Sequence, residues 1–278
     1  MKIPNNQFIC CDTPYAESHV VLFGAPYDST TSFRPGTRFG PAAMRMESFG
    51  IETYSMLLDR DLAEDAAVFD AGDLELPFGD QETALKMIED RAAEILRDGK
   101  VPFLLGGEHL VTLGSVRAVA KAVKDLYIIH FDAHADLRED YLGTPLSHAC
   151  VMRRCWELVG DGKITQIGIR SGTREEAAFR RAGHVNIGKL PPKGSKVYLT
   201  IDMDCLDPAE FPGTGTPEAG GMHYADLIAQ TRQVCADYDI VGLDNVELSP
   251  QLDPTGRSTA LACKFLREEL LCLLNLEN

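Results

Sequence analysis

Ionisable side chains of metal-binding type gather at three places in this 278-residue chain, each directly behind a short apolar run. Behind Tyr127–Phe131 comes Asp132-Ala133-His134-Ala135-Asp136, with Asp132, His134 and Asp136 at alternate positions. Alternate residues of an extended segment share one side, so the pattern predicts three ionisable groups converging at a strand end. Burying them is costly unless something cationic compensates them, and a dication does so directly. The alternative is a solvated loop, but Phe131 and the two small alanines point to a tight, partly buried turn. Behind Val197–Ile201 come Asp202, Met203 and Asp204, and the two aspartates again fall on one side. Cys205 falls on the other side by strand parity and reads as packing. Asp207, before Pro208, reads as a turn or helix-cap residue. The third group follows Val101–Leu105: Gly106 and Gly107 allow a tight turn, then Glu108 and His109 precede a helix. A lone histidine there would more often be structural.

Together the segments offer four carboxylates (Asp132, Asp136, Asp202, Asp204), two imidazoles (His109, His134) and no thiolate. That inventory suits Mn2+, with Fe2+ or Co2+ as alternatives, better than structural zinc. Six ligands exceed what one ion with an open position needs. Two ions sharing bridging carboxylates use them all, at a separation of roughly 3.5–4 Å. Water between two dications is acid enough to become hydroxide near neutral pH, which points to hydrolysis.

The elements that must position these groups alternate along the chain. Strands are expected at His19–Gly24, Ala66–Asp70, Val101–Leu105, Tyr127–Phe131, Ile164–Ile169, His184–Ile187, Val197–Ile201 and Asp239–Leu243. Helices are expected at Gln81–Arg97, Leu110–Lys124, Leu146–Leu158, Arg174–Arg181, Tyr224–Ala236 and Arg257–Leu274. This alternation predicts an α/β fold with a mostly parallel sheet covered on both faces. Such sheets place their chemistry beyond the carboxyl ends of the strands. Pro191–Ser195 reads as a loop, and no linker, repeat or low-complexity tract divides the chain, so residues 1–278 are expected to form a single domain.

Bulk properties narrow the partners. Hydrophobic residues make up 45% and charged residues 25%, ordinary for a globular protein. The formal net charge of −15 argues against nucleic acid and anionic membrane, both of which need a basic footprint. It suits cationic substrates and divalent metals, although acidity alone also serves solubility. Eight cysteines without a CxxC pair read as reduced thiols of a cytoplasmic protein. The N-terminal stretch from Met1 shows no apolar leader, and the late apolar run Leu270–Leu274 is too short to span a bilayer.

With these residues in view, the chain resembles the ureohydrolase family, the arginase/agmatinase-like manganese enzymes. The resemblance runs from SFRPGTRFGPAAMR (Ser32–Arg45) through GGEH (Gly106–His109), FDAHADLR (Phe131–Arg138) and IDMDCLDPAEFPGTGTPEAGG (Ile201–Gly221) to GLDNVELSP (Gly242–Pro250). It implies a three-layer α/β/α fold around an eight-stranded mostly parallel sheet, and two Mn2+ per subunit. His109, Asp132, Asp136 and Asp202 are implied for one ion, and His134, Asp132, Asp202 and Asp204 for the other, with Asp132 and Asp202 bridging. Glu247 falls where the family pairs a glutamate with the substrate guanidinium, and His148 where it has a proton-shuttling histidine. Glu108 stands where many members carry Asp and is not a ligand in the pattern. A homo-oligomer, trimer or hexamer, is also implied.

A guanidinium is a poor electrophile, so its hydrolysis needs a strong nucleophile held close and the planar cation fixed against it. Glu247 can fix it by paired charge-assisted hydrogen bonds. Asp136 can relay a proton to the departing amine and His148 can exchange it with solvent. His148 can also be read as a helix N-terminal residue behind Ser147. PGTGTPEAGG and LREDYLGTPLSHA resemble the agmatinase branch, which implies hydrolysis of agmatine to putrescine and urea. Glu139, Asp140 and Tyr141 could favour a distal ammonium, whereas Arg138 could favour the carboxylate of a guanidino acid such as guanidinobutyrate; arginine is a further alternative. The loop Arg34–Pro41 reads either as substrate-binding or as a backbone turn. Metal-dependent deacetylases share the implied fold, but Glu247 and the second histidine ligand argue against that activity. A non-catalytic descendant should have lost a ligand, and none is lost.

Overall fold

The computed structural model describes residues 7–65 and 67–274. Met1–Asn6, where the N-terminal stretch begins, and Ala66, the first residue of the second expected strand, lie outside the described residues. All eight expected strands form: β1 (Val20–Ala25), β2 (Val68–Asp73), β3 (Val101–Gly106), β4 (Tyr127–Phe131), β5 (Ile164–Ile167), β6 (Asn186–Ile187), β7 (Lys196–Asp202) and β8 (Asp239–Val246). They make one sheet in the order β2-β1-β3-β8-β7-β4-β5-β6, and every neighbouring pair is parallel.

The helices are α1 (Gly40–Glu47), α2 (Leu62–Asp65), α3 (Gln81–Arg97), α4 (Val111–Ala122), α5 (Val151–Val159), α6 (Arg174–Arg181), α7 (Tyr224–Asp237) and α8 (Arg257–Leu273). Strand residues feed two cores in alternation. Leu22, Phe103, Ile129, Leu199 and Ile201 pack with Met44 of α1, Leu227 of α7 and Phe265 of α8. Val21, Phe23, Leu104, Ile128 and Tyr198 pack with Ile88 of α3, Val116 of α4 and Val151 of α5. The result is a three-layer α/β/α fold, as a sheet apolar on both faces requires. No helix among the described residues is long and apolar enough to cross a membrane.

Several elements depart from the sequence reading: β2 runs on to Asp73 rather than ending at Asp70, β5 stops at Ile167 rather than Ile169, β6 begins at Asn186 rather than His184, and α2 was not expected. β8 continues three residues past Leu243 because its polar residues find buried partners: Asp244 accepts from Tyr198 Oη at 2.7 Å, and Asn245 donates to Glu269 at 2.5 Å. α5 starts at Val151 rather than Leu146, behind a 3-10 turn over His148–Cys150. α1 was not expected; Pro41 fits its first turn, where the missing N–H costs nothing.

The strand order puts β3, β8, β7 and β4 side by side at the centre. Their register aligns Leu105 with Asn245, Asn245 with Ile201, and Ile201 with Phe131. The residues that follow this row, including Asp132 and Asp202, therefore emerge together at one edge of the sheet. Next to it, Arg45 of α1 is buried and grips the end of β2, donating from Nε and Nη2 to the two oxygens of Asp70 at 2.8 and 2.9 Å, and from Nη1 to Asp73. Removing the guanidinium strands a buried carboxylate. Arg45→Met should lower the unfolding free energy by about 3–5 kcal/mol in urea denaturation. A loss under about 1 kcal/mol would show that the pair contributes little.

Candidate metal centre and its cavity

Nδ1 of His109 lies 3.1 Å from Asp132 Oδ2, 3.2 Å from Asp202 Oδ2 and 3.3 Å from Asp136 Oδ2. It is buried and forms no hydrogen bond. Its tautomer follows from the other ring nitrogen. Thr200 Oγ1 donates its single proton to Asp244 Oδ1 at 2.6 Å, so it can only accept from His109 Nε2–H, 3.0 Å away. In the neutral ring, the form that can bind a cation, the lone pair of His109 Nδ1 thereby faces the three carboxylates.

A second cluster adjoins it. Nδ1 of His134 is 2.9 Å from Asp204 Oδ2 and 3.5 Å from Asp132 Oδ1. Asp132 thus presents one oxygen to each cluster. Backbone N–H groups occupy the other oxygens: Asp204 N donates to Asp202 Oδ1 at 2.8 Å, and Ala133 N to Asp204 Oδ1 at 3.0 Å. Asp204 Oδ2 is buried without a hydrogen bond. Orphaned acceptors of hard oxygen and imidazole type, facing one another, fit two divalent cations.

All six residues proposed from sequence are brought together, but strand parity fails for two of them, Asp204 and Asp136. Asp202 ends β7 and Asp132 directly follows β4, whereas Asp204 sits in the 3-10 turn Met203–Cys205. Asp136 has φ +53°, and its carbonyl accepts from Met152 N and Arg153 N at the start of α5, at 2.9 and 3.2 Å. A left-handed turn, not an extended segment, points it inward. Cys205 packs in the core, and all eight cysteines are free thiols. Asp207 accepts from the N–H groups of Ala209, Gly220 and Gly221, as a turn residue should.

The electrostatics record a shortage of positive charge. Burial, reinforced by Asp204 and Asp132, holds Asp202 well above the carboxylate range, and burial with Asp132 raises Asp204. Burial and Asp132 push Asp136 up to about 7. Asp132, despite its burial, is held well below the usual range by His130, His109 and His134. Burial alone would depress His109 and His134, but their carboxylate neighbours raise His109 well above the ordinary value and His134 to about 12.

A cavity of about 250 Å³ opens above the cluster, lined by Asp136, Asp202, His134, His148, Glu247 and Ser32 among others. Glu247 follows β8 at φ +66°; its Oε1 accepts from His109 N at 2.8 Å, and its own N–H donates to Gly107 O at 2.9 Å. Burial holds its carboxyl well above the usual range. Asp136 and Glu247 are therefore both non-glycine residues in the left-handed region, where strain concentrates at functional sites. His148 opens the 3-10 turn, with Nε2 3.1 Å from Ser32 Oγ. Burial is the first cause, and the charges of His109 and His134 the next, in pushing its ring down to about 4.

Sequence reading missed the supports. His130 donates from Nε2 to Asp132 Oδ2 at 2.8 Å, with Nδ1 accepting from Gln166 Nε2 at 3.2 Å. Arg170 donates to the carbonyls of Asp204 at 2.8 Å, Leu206 at 3.2 Å and Glu218 at 2.7 Å, clamping the loops around Asp204. The available signal was polar residues inside apolar strands, His130 and Thr200 above all. At the far end, Arg138, Tyr141 and Glu176 line the cavity, whereas Glu139 and Asp140 do not. Arg34 donates to the carbonyls of Gly215 and Thr214, both at 3.1 Å, so the Arg34–Pro41 segment is a structural turn at that point.

Comparison with known proteins agrees with this geometry. A family model described as the Arginase family matches residues 18–272. The chain belongs to the arginase family. It is 44% identical over 276 residues to the agmatinase of Bacillus subtilis, covering 95% of each chain. The guanidinobutyrase of Pseudomonas aeruginosa is 35% identical over 272 residues, covering 90% of this chain and 85% of that one. The solved agmatine ureohydrolase of Thermoplasma volcanium superposes with a TM-score of 0.89 at 34% identity, covering 97% of this chain and 94% of that one. In this arginase-family chain the carboxylate–imidazole clusters adjoin a cavity of about 250 Å³.

Two measurements test the centre. Asp136, raised to about 7, and His134, raised to about 12, carry protons in the free protein that a dication must displace. Mn2+ affinity should therefore rise with pH through about 7, with net proton release seen by calorimetry in buffers of different ionisation enthalpy. An affinity independent of pH from about 6 to 8 would contradict the assignment. His130→Phe should weaken Mn2+ binding about 10–100-fold while the fold persists by circular dichroism.

Proposed function

We propose that this chain is an agmatinase, hydrolysing agmatine to putrescine and urea at a binuclear manganese centre. The observation that carries the reading is the meeting of the two candidate ligand clusters with Glu247 in the wall of one small cavity. His109, Asp132, Asp136 and Asp202 would hold one ion, and His134, Asp132, Asp202 and Asp204 the other, with Fe2+ or Co2+ as alternatives to Mn2+. Bound there, the ions supply an acidified water and positive charge at the cluster.

The chain's own residues do the rest. Glu247 pairs with the guanidinium, whose charge offsets the cost of ionising a buried carboxyl, and its backbone-anchored oxygen fixes the angle of approach. Asp136, once a bound ion has displaced its own proton, offers a carboxylate oxygen in the cavity wall that can take up a proton and pass it on. His148 is neutral at that pH, so its ring can accept a proton at the cavity mouth and pass it to water.

Support for the amine at the far end comes from Glu176 rather than from Glu139 or Asp140. Its two oxygens accept from Leu137 N at 2.8 Å and Thr173 N at 2.7 Å and retain lone pairs towards the cavity. One observation favours a second reading, a guanidino acid such as guanidinobutyrate. Arg138 also lines the cavity, its guanidinium 4.5 Å from the centre of the Tyr141 ring.

Urea release in Mn2+ should be largest with agmatine, exceeding arginine and guanidinobutyrate by about tenfold or more in kcat/KM. Guanidinobutyrate as the best substrate would favour the second reading, and no urea from any of the three would sink the first. Glu247→Gln should reduce kcat/KM by about a hundredfold with Mn2+ content unchanged.

A further inference from the structure

Glu108, left without a role by the ligand pattern, is fully buried beneath the loop that precedes α1. Its carboxylate gathers three donors from that loop: Thr30 N at 2.9 Å, Thr30 Oγ1 at 2.6 Å and Thr31 Oγ1 at 3.1 Å. The loop is closed on itself by Asp28, which accepts from Gly36 N at 2.8 Å and pairs with Arg38. Glu108 is thus its attachment to the sheet, at the turn behind β3.

The same loop holds His148 at two points. Thr30 Oγ1 accepts from His148 N at 3.2 Å, and Ser32 Oγ lies 3.1 Å from His148 Nε2. A threonine hydroxyl has one proton and two lone pairs. With Glu108 ionised, its carboxylate can only accept, so the Thr30 proton goes to Glu108 and a lone pair is left facing the N–H of His148. The orientation of one hydroxyl couples a buried acid to the backbone of the residue at the cavity mouth.

We propose that Glu108 and Thr30 form a latch that positions His148, so that both are positioning residues for the hydrolysis. The latch rests on the reading of His148 as the proton-exchanging residue, but its geometry can be tested apart from turnover. Glu108 touches no reacting atom; its hydrogen bonds reach the His148 amide through Thr30, and because its charge also bears on Glu247, Thr30 is the position that tests the latch by itself. Loosening the latch therefore slows proton exchange without weakening substrate or metal binding.

The decisive variants are Thr30→Val, which keeps shape but loses the hydroxyl, and Thr30→Ser, which restores it. In the manganese-loaded enzyme Thr30→Val should lower kcat about tenfold, with KM within about twofold and Mn2+ content unchanged. Thr30→Ser should recover most of the loss. In a His148→Asn background Thr30→Val should cost no further kcat, because the two act as one unit. A full, additive loss there, or an unchanged kcat in the single variant, overturns the proposal. Hydrogen exchange reads the latch without activity: the His148 amide should exchange about tenfold faster in Thr30→Val and Glu108→Gln, and at the wild-type rate in Thr30→Ser. Unchanged exchange in the first two overturns the latch. If exchange shifts but the wild-type protein releases no urea from any guanidino compound, the latch stands as a structural device and the functional reading fails.

Discussion

Four aspartates converging at one buried edge of a sheet repel one another, and the architecture around them exists to hold that repulsion still. Asp202 and Asp204 each commit one oxygen to a backbone N–H and leave the other facing the cluster, while Asp132 accepts such an N–H on the oxygen it turns to His134. Asp132, Asp202, Asp204 and Asp136 cannot all ionise together there without cations, which is why burial and mutual charge raise all but Asp132. An all-parallel sheet meets the geometric need directly. Every strand ends at the same edge, and the order β3-β8-β7-β4 makes the four ends that matter immediate neighbours. An antiparallel sheet would send alternate ends to opposite edges.

The consequence is a set of polar side chains inside strands. Asp244 in β8 and Thr200 in β7 orient His109, while His130 in β4, with Gln166 from β5, orients Asp132. Each is buried, and each has its hydrogen-bonding partner on an adjacent strand. These contacts fix which nitrogen of His109 carries the proton, so the lone pair meets the carboxylates rather than the sheet. Arg170 does the same for a turn, replacing many separate backbone caps with one planar guanidinium. A centre built this way is set before any cation arrives, which keeps the reorganisation cost of binding low.

Much of this was legible in sequence because apolar runs fix strands, and because ionisable side chains at buried strand ends are too costly to stand there uncompensated. The eight strands and six of the helices emerged at nearly their observed positions. The six candidate ligands emerged as well, Asp136 and Asp204 by a parity argument whose premise fails. Their backbones leave the extended region, in a left-handed residue and a 3-10 turn, and spacing does not report that. α1 was hidden because Gly40 and Pro41 read as loop residues, although proline suits a helical first turn. β8 was cut short at Asp244 since a buried acid in a strand is improbable until Tyr198 and Thr200 are known to face it. Glu176 was invisible for a similar reason. Within α6 it reads as a capping-box residue, which it is, and only the fold turns that cap towards the cavity.

The far end of the cavity carries both signs of charge, and that arrangement separates selection from catalysis. Glu176 accepts two backbone N–H bonds, so part of its charge is already answered and its pull on a distal ammonium is moderate. Arg138 lies against the face of Tyr141, which answers part of its charge in turn. Neither group belongs to the ligand clusters, which include Asp136 and beside which Glu247 and His148 stand. On the proposed reading, a change at Arg138 or Glu176 alters which guanidino compound is held, while the charge balance around the ligand clusters stays intact. The exposed Glu139 and Asp140, screened by water, contribute little to either. Specificity in this fold can drift at the rim because the demanding electrostatics are confined to the ends of the four central strands.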